Sequence, residues 1–379
     1  MRLCMRCTLH SYPNYYLITS HMIKKSIGLL CLTALTTGLA QAQDSTSTSP
    51  LEISGSVDLY YKADFAGVPN IETSFADENN SISIGMIDIA LSKTVGKATF
   101  VGEVAFGPRG QYQSIPNSGV DNNSFHIQNL YASYAVTDMV SITAGYMGTF
   151  VGYEVISPTG NYNYSTSRMF TNGPFQNAGV KVDLAISDRV GLMVGLFNDW
   201  NVYQDLDGLS DFGAQLYLSP VDGWDAYLNL ITGGTAYGYG TEIDLTTGYQ
   251  ITDAFYLGLN AASLTLSDAA ASDNTTKGFY GVALYPQVAL TESFGLGLRF
   301  EHFKWKDLEE GGTTLENPSY NSITLSANVK AGPLTIIPEF RFDGSDQNVF
   351  YSSADIMNSE AGFDSKSASQ VLVGVVYGF

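Results

Sequence analysis

The fold is decided by the last thirteen residues, Ser367-Ala-Ser-Gln-Val-Leu-Val-Gly-Val-Val-Tyr-Gly-Phe379. Side chains alternate between the two faces of a strand. One face of this strand is apolar and ends in two aromatic rings, Tyr377 and Phe379, whereas the other is smaller and more mixed. An exposed apolar strand would leave an adhesive edge on a soluble sheet. In a closed membrane barrel its apolar face meets lipid, and its aromatic rings lie at the headgroup level.

Residues 51–65 form a matching first strand. Apolar side chains from Leu51 to Phe65 alternate there with polar ones from Glu52 to Asp64. A soluble sandwich can show this alternation in a single strand, so strand length and loop pattern must decide between the two classes. We expect this strand to pair antiparallel with residues 367–379 and to close the sheet.

The sequence predicts sixteen strands, most of them about as long as the ~9–11 residues that a transmembrane strand needs. They are 51–65, 81–93, 97–107, 124–136, 139–148, 177–187, 189–198, 210–218, 224–233, 239–250, 254–266, 278–289, 293–305, 320–330, 334–343 and 367–379.

The predicted connections alternate between short turns and longer polar loops. The longer ones are 66–80, 108–123, 149–176, 199–209, 234–238, 267–277, 306–319 and 344–366. Short turns on one side and long loops on the other are typical of transmembrane barrels. The predicted fold is therefore all-β: a transmembrane antiparallel up-and-down β-barrel spanning residues 51–379.

The same alternation turns charged side chains inward, because a charge on the lipid face costs ~2–4 kcal/mol near the membrane midplane. The predicted pore-lining residues are Asp58, Glu103, Arg299, Glu301, Glu339 and Arg341. The last four form either a transverse field across the lumen or structural ion pairs that brace the wall.

Residues 1–42 are predicted to include a removable signal peptide. Lys24 and Lys25 precede a short apolar run, and Ala40-Gln41-Ala42 resembles a cleavage site. Met22 is the more natural start. Residues 43–50 are predicted to be a flexible segment. All three cysteines precede residue 43, so no disulfide is expected in the exported chain.

Composition narrows the function classes further. Of the 18 basic residues four precede residue 43, which leaves 14 basic against 37 acidic residues. This excess argues against nucleic-acid binding and favours a mild cation preference. No cofactor or metal site is predicted.

Several stretches resemble the OmpL-like β-barrel porins of Gram-negative bacteria. They include Gly148-Thr-Phe-Val-Gly-Tyr-Glu-Val-Ile-Ser-Pro-Thr-Gly-Asn-Tyr-Asn-Tyr-Ser-Thr-Ser-Arg168, Pro338-Glu-Phe-Arg-Phe-Asp343 and Val375-Val-Tyr-Gly-Phe379. The resemblance implies an outer-membrane diffusion channel for small hydrophilic solutes, without catalytic residues. The expected partners are outer-membrane lipid, lipopolysaccharide and the assembly machinery; a homo-oligomer is also possible.

Residues 149–176 form the longest predicted connection and carry few charges but many aromatic residues. We expect this loop to fold into the barrel and narrow it, with Glu154, Asn161, Asn163 and Arg168 as constriction residues. The alternative is an outer cap packed on neighbouring loops.

Two other functions remain open at this stage. One is a structural or adhesive barrel with a closed lumen. The other is a barrel enzyme such as a phospholipase, which needs a histidine beside a serine. Neither His126 nor His302 has a persuasive Asn or Asp on its face to orient it, so we expect no enzyme.

The predicted barrel-closure and assembly signal is Tyr377 with Phe379. We expect deletion of Phe379 to reduce insertion into the outer membrane more than it reduces the conductance of barrels that do assemble. Quantitative blotting of membrane fractions and planar-bilayer recording measure the two effects. Normal insertion of the deletion variant would contradict the prediction.

Overall fold

The computed structural model describes residues 49–379, except residues 111–124, 206–207, 236, 268–275, 311–312 and 360. The predicted signal peptide (residues 1–42) and nearly all of the predicted flexible segment (43–50) lie outside the described residues, so both stay predictions.

The described chain forms a closed antiparallel barrel of sixteen strands, which confirms the predicted fold class. The strands are β1 (Glu52–Asp64), β2 (Ser81–Val95), β3 (Ala98–Phe106), β4 (Phe125–Ala135), β5 (Val140–Gly148), β6 (Gln176–Ser187), β7 (Val190–Phe197), β8 (Asp211–Val221), β9 (Trp224–Thr235), β10 (Gly238–Gln250), β11 (Phe255–Leu266), β12 (Gly278–Ala289), β13 (Phe294–Trp305), β16 (Ser319–Ala331), β17 (Leu334–Ser345) and β18 (Ser367–Gly378). Between β13 and β16, β14 (Leu308–Glu310) and β15 (Thr313–Leu315) form a separate small hairpin.

The barrel closes between its first and last strands, as the sequence predicts. Val57 lies opposite Tyr377, and Tyr61 lies opposite Val373, in an antiparallel ladder. The backbone of Phe379 adds two hydrogen bonds of 3.0 Å with Gly55. Closure leaves the described barrel sheet without an unpaired edge, which is the condition for placing a sheet in lipid.

The two faces of the wall differ in polarity. On the outer face, apolar side chains such as Leu325 and Val373 are each 43% exposed. On the inner face the alternating positions are polar and buried, as Ser322, Thr324 and Ser326 show on β16. Within the described ranges no helix is long and apolar enough to cross a membrane.

The predicted strand bounds agree with the structure to within a few residues, with three local differences. The predicted loop 234–238 is a tight turn, because β9 and β10 extend towards each other. The predicted strand 210–218 is longer in the structure, since β8 continues to Val221. The register between β3 and β4 shifts next to Glu103 of β3, and this shift interrupts the strict alternation of side chains on β4.

Short helical segments occur in the connections. They are α1 (Arg168–Asn172), α2 (Ala354–Met357) and single 3-10 turns at Pro108–Gly110 and Pro158–Gly160. Helix α1 begins after Ser167, whose hydroxyl accepts a hydrogen bond of 3.0 Å from the backbone amide of Phe170. This N-cap fixes the direction of the chain just before it returns to β6.

The position of β18 in the wall predicts a depth-dependent cost for a charge on its outer face. Val373→Arg, near the middle of the strand, should destabilise the folded barrel by ~2–4 kcal/mol, whereas Ser369→Arg near its end should cost ~0–1 kcal/mol. Reversible denaturant unfolding in lipid vesicles measures both. Equal costs would contradict the assignment of this face to lipid.

Candidate functional site

The connection between β5 and β6, residues 149–175, lies inside the barrel; we call it the inner loop. Its contacts are with inward-facing side chains of strands on different sides of the wall. The amide of Gly152 donates to Asp244 on β10 at 3.1 Å, and the hydroxyl of Tyr164 donates to Asp58 on β1. The inner loop therefore folds into the barrel and does not form an outer cap.

Carboxylates on the wall accept hydrogen bonds from backbone amides of the inner loop. Glu339 accepts from Tyr164 at 2.8 Å and from Ser165 at 3.3 Å. Glu301 accepts from Arg168 at 3.0 Å and from Met169 at 2.9 Å. A buried loop cannot hydrogen-bond its backbone to water, so these carboxylates satisfy groups that would otherwise be costly to bury.

Arginines on the wall satisfy backbone carbonyls of the same loop. Arg299 donates to the carbonyl of Ser165 at 2.5 Å and forms an ion pair of 2.7 Å with Glu154. Arg341 donates to the carbonyl of Thr166 at 2.8 Å. Charged donors and acceptors make the stronger hydrogen bonds in proteins, so the wall holds both the amides and the carbonyls of this segment.

A third anchor joins the inner loop to the loop that follows β3. Arg109 forms an ion pair of 3.0 Å with Asp58 and donates to the carbonyl of Ile156 at 3.1 Å. Tyr164 donates to the same Asp58 carboxylate. Burial, together with the nearby charge of Asp58, raises the pKa of Tyr164 well above its usual value. The phenol therefore stays neutral and remains a hydrogen-bond donor.

Inward-facing glycines provide the space in which the inner loop lies. The ring of Tyr162 covers Gly297, and the ring of Tyr164 covers Gly374. A Cβ atom at either glycine would overlap the tyrosine ring. Larger residues at these wall positions would therefore push the loop away from the wall.

Apolar packing also holds the inner loop against one side of the wall. Val151 and Met169 of the loop pack in a buried cluster with inward-facing side chains of β9, β11, β12 and β13. The wall members of the cluster are Ile231, Ala262, Leu264, Leu266, Phe279, Ala283, Tyr285 and Phe303. Between the inner loop and this part of the wall, the barrel interior is packed with side chains.

The predicted wall residues all face inward, and each is at most 4% exposed: Asp58, Glu103, Arg299, Glu301, Glu339 and Arg341. Five of them contact the inner loop. Glu103 instead accepts a hydrogen bond of 2.6 Å from Asn129 on β4. These side chains thus meet protein atoms rather than open solvent.

The four predicted loop residues have different environments. Glu154 pairs with Arg299, and Asn163 donates to Ser326 on β16 at 2.7 Å. Arg168 forms an ion pair of 2.8 Å with Asp343 on β17. Asn161, by contrast, bonds within the loop, where it accepts from the amide of Val155 at 2.9 Å.

Sequence reasoning missed two kinds of residue. Arg109 lies in an irregular loop, where no periodicity indicates its direction. The inward glycines follow the same alternation as the other inward-facing residues of their strands, so that signal was available. Their importance depends on which loop side chains cover them.

The expectation that neither histidine has a partner to orient it is wrong for His302. Its Nδ1 lies 2.9 Å from Oδ1 of Asn321, on the outer face of the wall. Among the described residues, however, no serine hydroxyl is hydrogen-bonded to His302. The side chain of His126 and all of Ser124 lie outside the described part of the chain.

Comparisons with known proteins agree with this architecture. A family model described as "Putative beta-barrel porin-2, OmpL-like" matches residues 50–379. No curated protein matches the chain.

Three solved outer-membrane proteins have a similar fold. The channel DcaP of Acinetobacter baumannii superimposes with a TM-score of 0.58 at 13% identity, over 88% of this chain and 97% of that one. OmpT of Vibrio cholerae, in its trimer form, gives a TM-score of 0.56 at 11% identity, over 88% and 99%. Salmonella typhi OmpF in complex with daunomycin gives 0.57 at 14% identity, over 87% and 97%.

The identities to these structures are low, so the structures support the fold, and the family model identifies the relatives. Because that model covers almost the whole described chain, the protein belongs to the OmpL-like family of outer-membrane β-barrel porins.

Proposed function

We propose that the protein forms a narrow channel for passive diffusion of small hydrophilic solutes across the outer membrane, and that the inner loop sets its width. The observation that carries this proposal is the path of the loop. It is bonded to β10 through Gly152 and to β1 through Tyr164. A segment fixed to separate parts of the wall reduces the open cross-section that a sixteen-stranded barrel would otherwise have.

We further propose that Arg299, Glu301, Glu339 and Arg341 act on the channel mainly by holding the inner loop. Their hydrogen bonds to the backbone of residues 164–169 support this role. In this proposal, these predicted pore-lining residues shape the pore through the position of the loop. The same holds for Asp58 beside Tyr164.

The charge distribution supports a cation preference. From residue 43 onward the chain carries 37 acidic against 14 basic residues, and this excess of negative charge supports the preference. A pore lined by excess negative charge concentrates cations at its mouth and along its wall.

One observation favours a second candidate, a structural barrel with a closed lumen. The buried apolar cluster of aromatic and aliphatic side chains fills the space between the inner loop and strands β9, β11, β12 and β13. The same functional test distinguishes this candidate from an open channel.

The similarity to the trimer form of OmpT also supports the proposal of a homo-oligomer. We propose lipopolysaccharide, outer-membrane lipid and the assembly machinery as the other partners, because strands with an apolar outer face must be inserted into and surrounded by the membrane.

The first prediction of this proposal concerns transport by the intact protein. Liposomes that contain the refolded barrel should swell in small sugars or amino acids but not in large oligosaccharides. In a KCl gradient across a planar bilayer, the reversal potential should indicate a K⁺ permeability higher than that for Cl⁻. Absence of swelling would support the closed barrel, and anion selectivity would contradict the proposed charge effect.

The second prediction concerns the anchors of the inner loop. The double variant Glu301→Gln/Glu339→Gln should show larger and noisier single-channel currents, because each lost charge-assisted hydrogen bond is worth ~1.5–3 kcal/mol. Asp225→Asn is the matched control. This carboxylate lies on the inner wall but bonds to Tyr217 at 2.7 Å rather than to the loop. Equal currents in the double variant and the control would contradict the anchoring role.

A further inference from the structure

An aromatic band lies on the inner wall at the end of the barrel that carries the short turns. Its members, which we call the tyrosine band, are Tyr153, Tyr217, Tyr227 and Tyr256. Tyr217 on β8 lies directly opposite Tyr227 on β9, and their ring centroids are 5.1 Å apart. Both rings lie within a few residues of the short turn that joins the two strands.

The other two members connect this pair of rings to the inner loop. The phenol of Tyr256 on β11 covers Gly248 on β10, and Gly248 lies opposite Asp225 on β9. The hydroxyl of Tyr153, in the inner loop, donates to the hydroxyl of Tyr256 at 3.3 Å. The ring of Tyr153 also stacks on Tyr285 at 4.2 Å. The tyrosine band therefore begins at the loop that narrows the barrel and extends along the wall from β11 to β8.

The tyrosine band is accessible from the lumen. All four of its side chains are partly exposed, whereas Glu301 and Glu339, which hold the inner loop, are buried. Gly191 on β7 lies opposite Tyr217 and has no side chain that could cover the ring. The hydroxyl of Tyr217 donates to Asp225 at 2.7 Å, which fixes the orientation of the ring. A solute that has passed the inner loop therefore meets aromatic surfaces that are already oriented.

The chemistry of the tyrosine band fits a solute with an apolar face and a polar edge. A tyrosine side chain presents an apolar ring and a hydroxyl at its tip. A pyranose sugar has C–H groups on its faces and hydroxyls around its edge, so it complements both parts. Sites for small molecules generally combine an aromatic lining with a few polar groups. Tyrosine also loses little conformational entropy on contact, because its ring is rigid.

We propose that the tyrosine band binds pyranose sugars weakly as they pass, and that neutral sugars are a substrate class of this channel. The inference rests on the proposed function as a diffusion channel. The observations that carry it are the adjacent, partly exposed rings of Tyr217 and Tyr227 and the connection of the band to the inner loop. Weak binding at successive rings suits a channel, because a permeating solute must also leave.

The test measures the block of KCl current by maltose in planar bilayers, because a sugar bound inside a channel obstructs the ions. Maltose should reduce the wild-type current in a saturating manner, whereas mannitol, an acyclic polyol without a ring face, should cause only the proportional decrease that viscosity produces.

Variants locate the binding surface. Tyr217→Leu/Tyr227→Leu should raise the half-blocking concentration of maltose about tenfold, because both aromatic contacts are lost. Tyr217→Phe/Tyr227→Phe keeps the ring faces and should retain most of the block. Tyr134→Leu is the matched control, since this tyrosine lies on the outer face of β4 with 53% exposure, and its block should equal that of the wild type.

The possible outcomes separate this site from the proposed function. A wild type that carries no ion current would overturn the channel itself. A conducting wild type on which maltose and mannitol act equally would overturn the sugar site alone, and this comparison needs no variant to fold. An unchanged half-blocking concentration in the leucine double variant would also overturn the site. Block by benzyl alcohol without block by maltose would overturn the assignment to sugars in favour of aromatic solutes.

Discussion

Hydrogen bonds between charged wall side chains and the backbone of the inner loop are the interactions on which the rest of the structure depends. A loop inside a barrel loses water as a partner for its amides and carbonyls, so the wall must replace it. Glu301 and Glu339 accept from the amides, while Arg299 and Arg341 donate to the carbonyls. This requirement explains why so many charges are buried in a barrel whose loop itself contributes only Glu154 and Arg168.

The remaining features follow from the position of the inner loop inside the barrel. Glycines such as Gly297 and Gly374 make room for the tyrosine rings, and the apolar cluster around Met169 fills the space behind the loop. The proposed role of the buried wall charges is therefore to fix the position of the inner loop and, through it, the width of the channel.

The sequence predicted the barrel well because a strand pattern is local. Alternation with period two identifies the lipid face and the inward charges of β13 and β17, and the closing pair of β1 with β18 follows from it. The position of the inner loop depends instead on contacts between residues far apart in the chain, such as Tyr164 with Asp58. Periodicity shows that Arg299 faces inward, but it does not show that its partner is the carbonyl of Ser165. Irregular segments give no such signal, so the role of Arg109 was missed.

Disulfide trapping tests the central claim, the position of the inner loop against the wall, most directly. The chain from residue 43 onward contains no cysteine. The Cγ atom of Tyr164 lies 2.7 Å from the position that a Cβ atom would take on Gly374, which suits the geometry of a disulfide. We predict that Tyr164→Cys/Gly374→Cys forms an intramolecular disulfide on oxidation of the folded barrel, whereas Tyr164→Cys/Gly191→Cys does not. Failure of the first pair to cross-link in a correctly folded barrel would contradict the account.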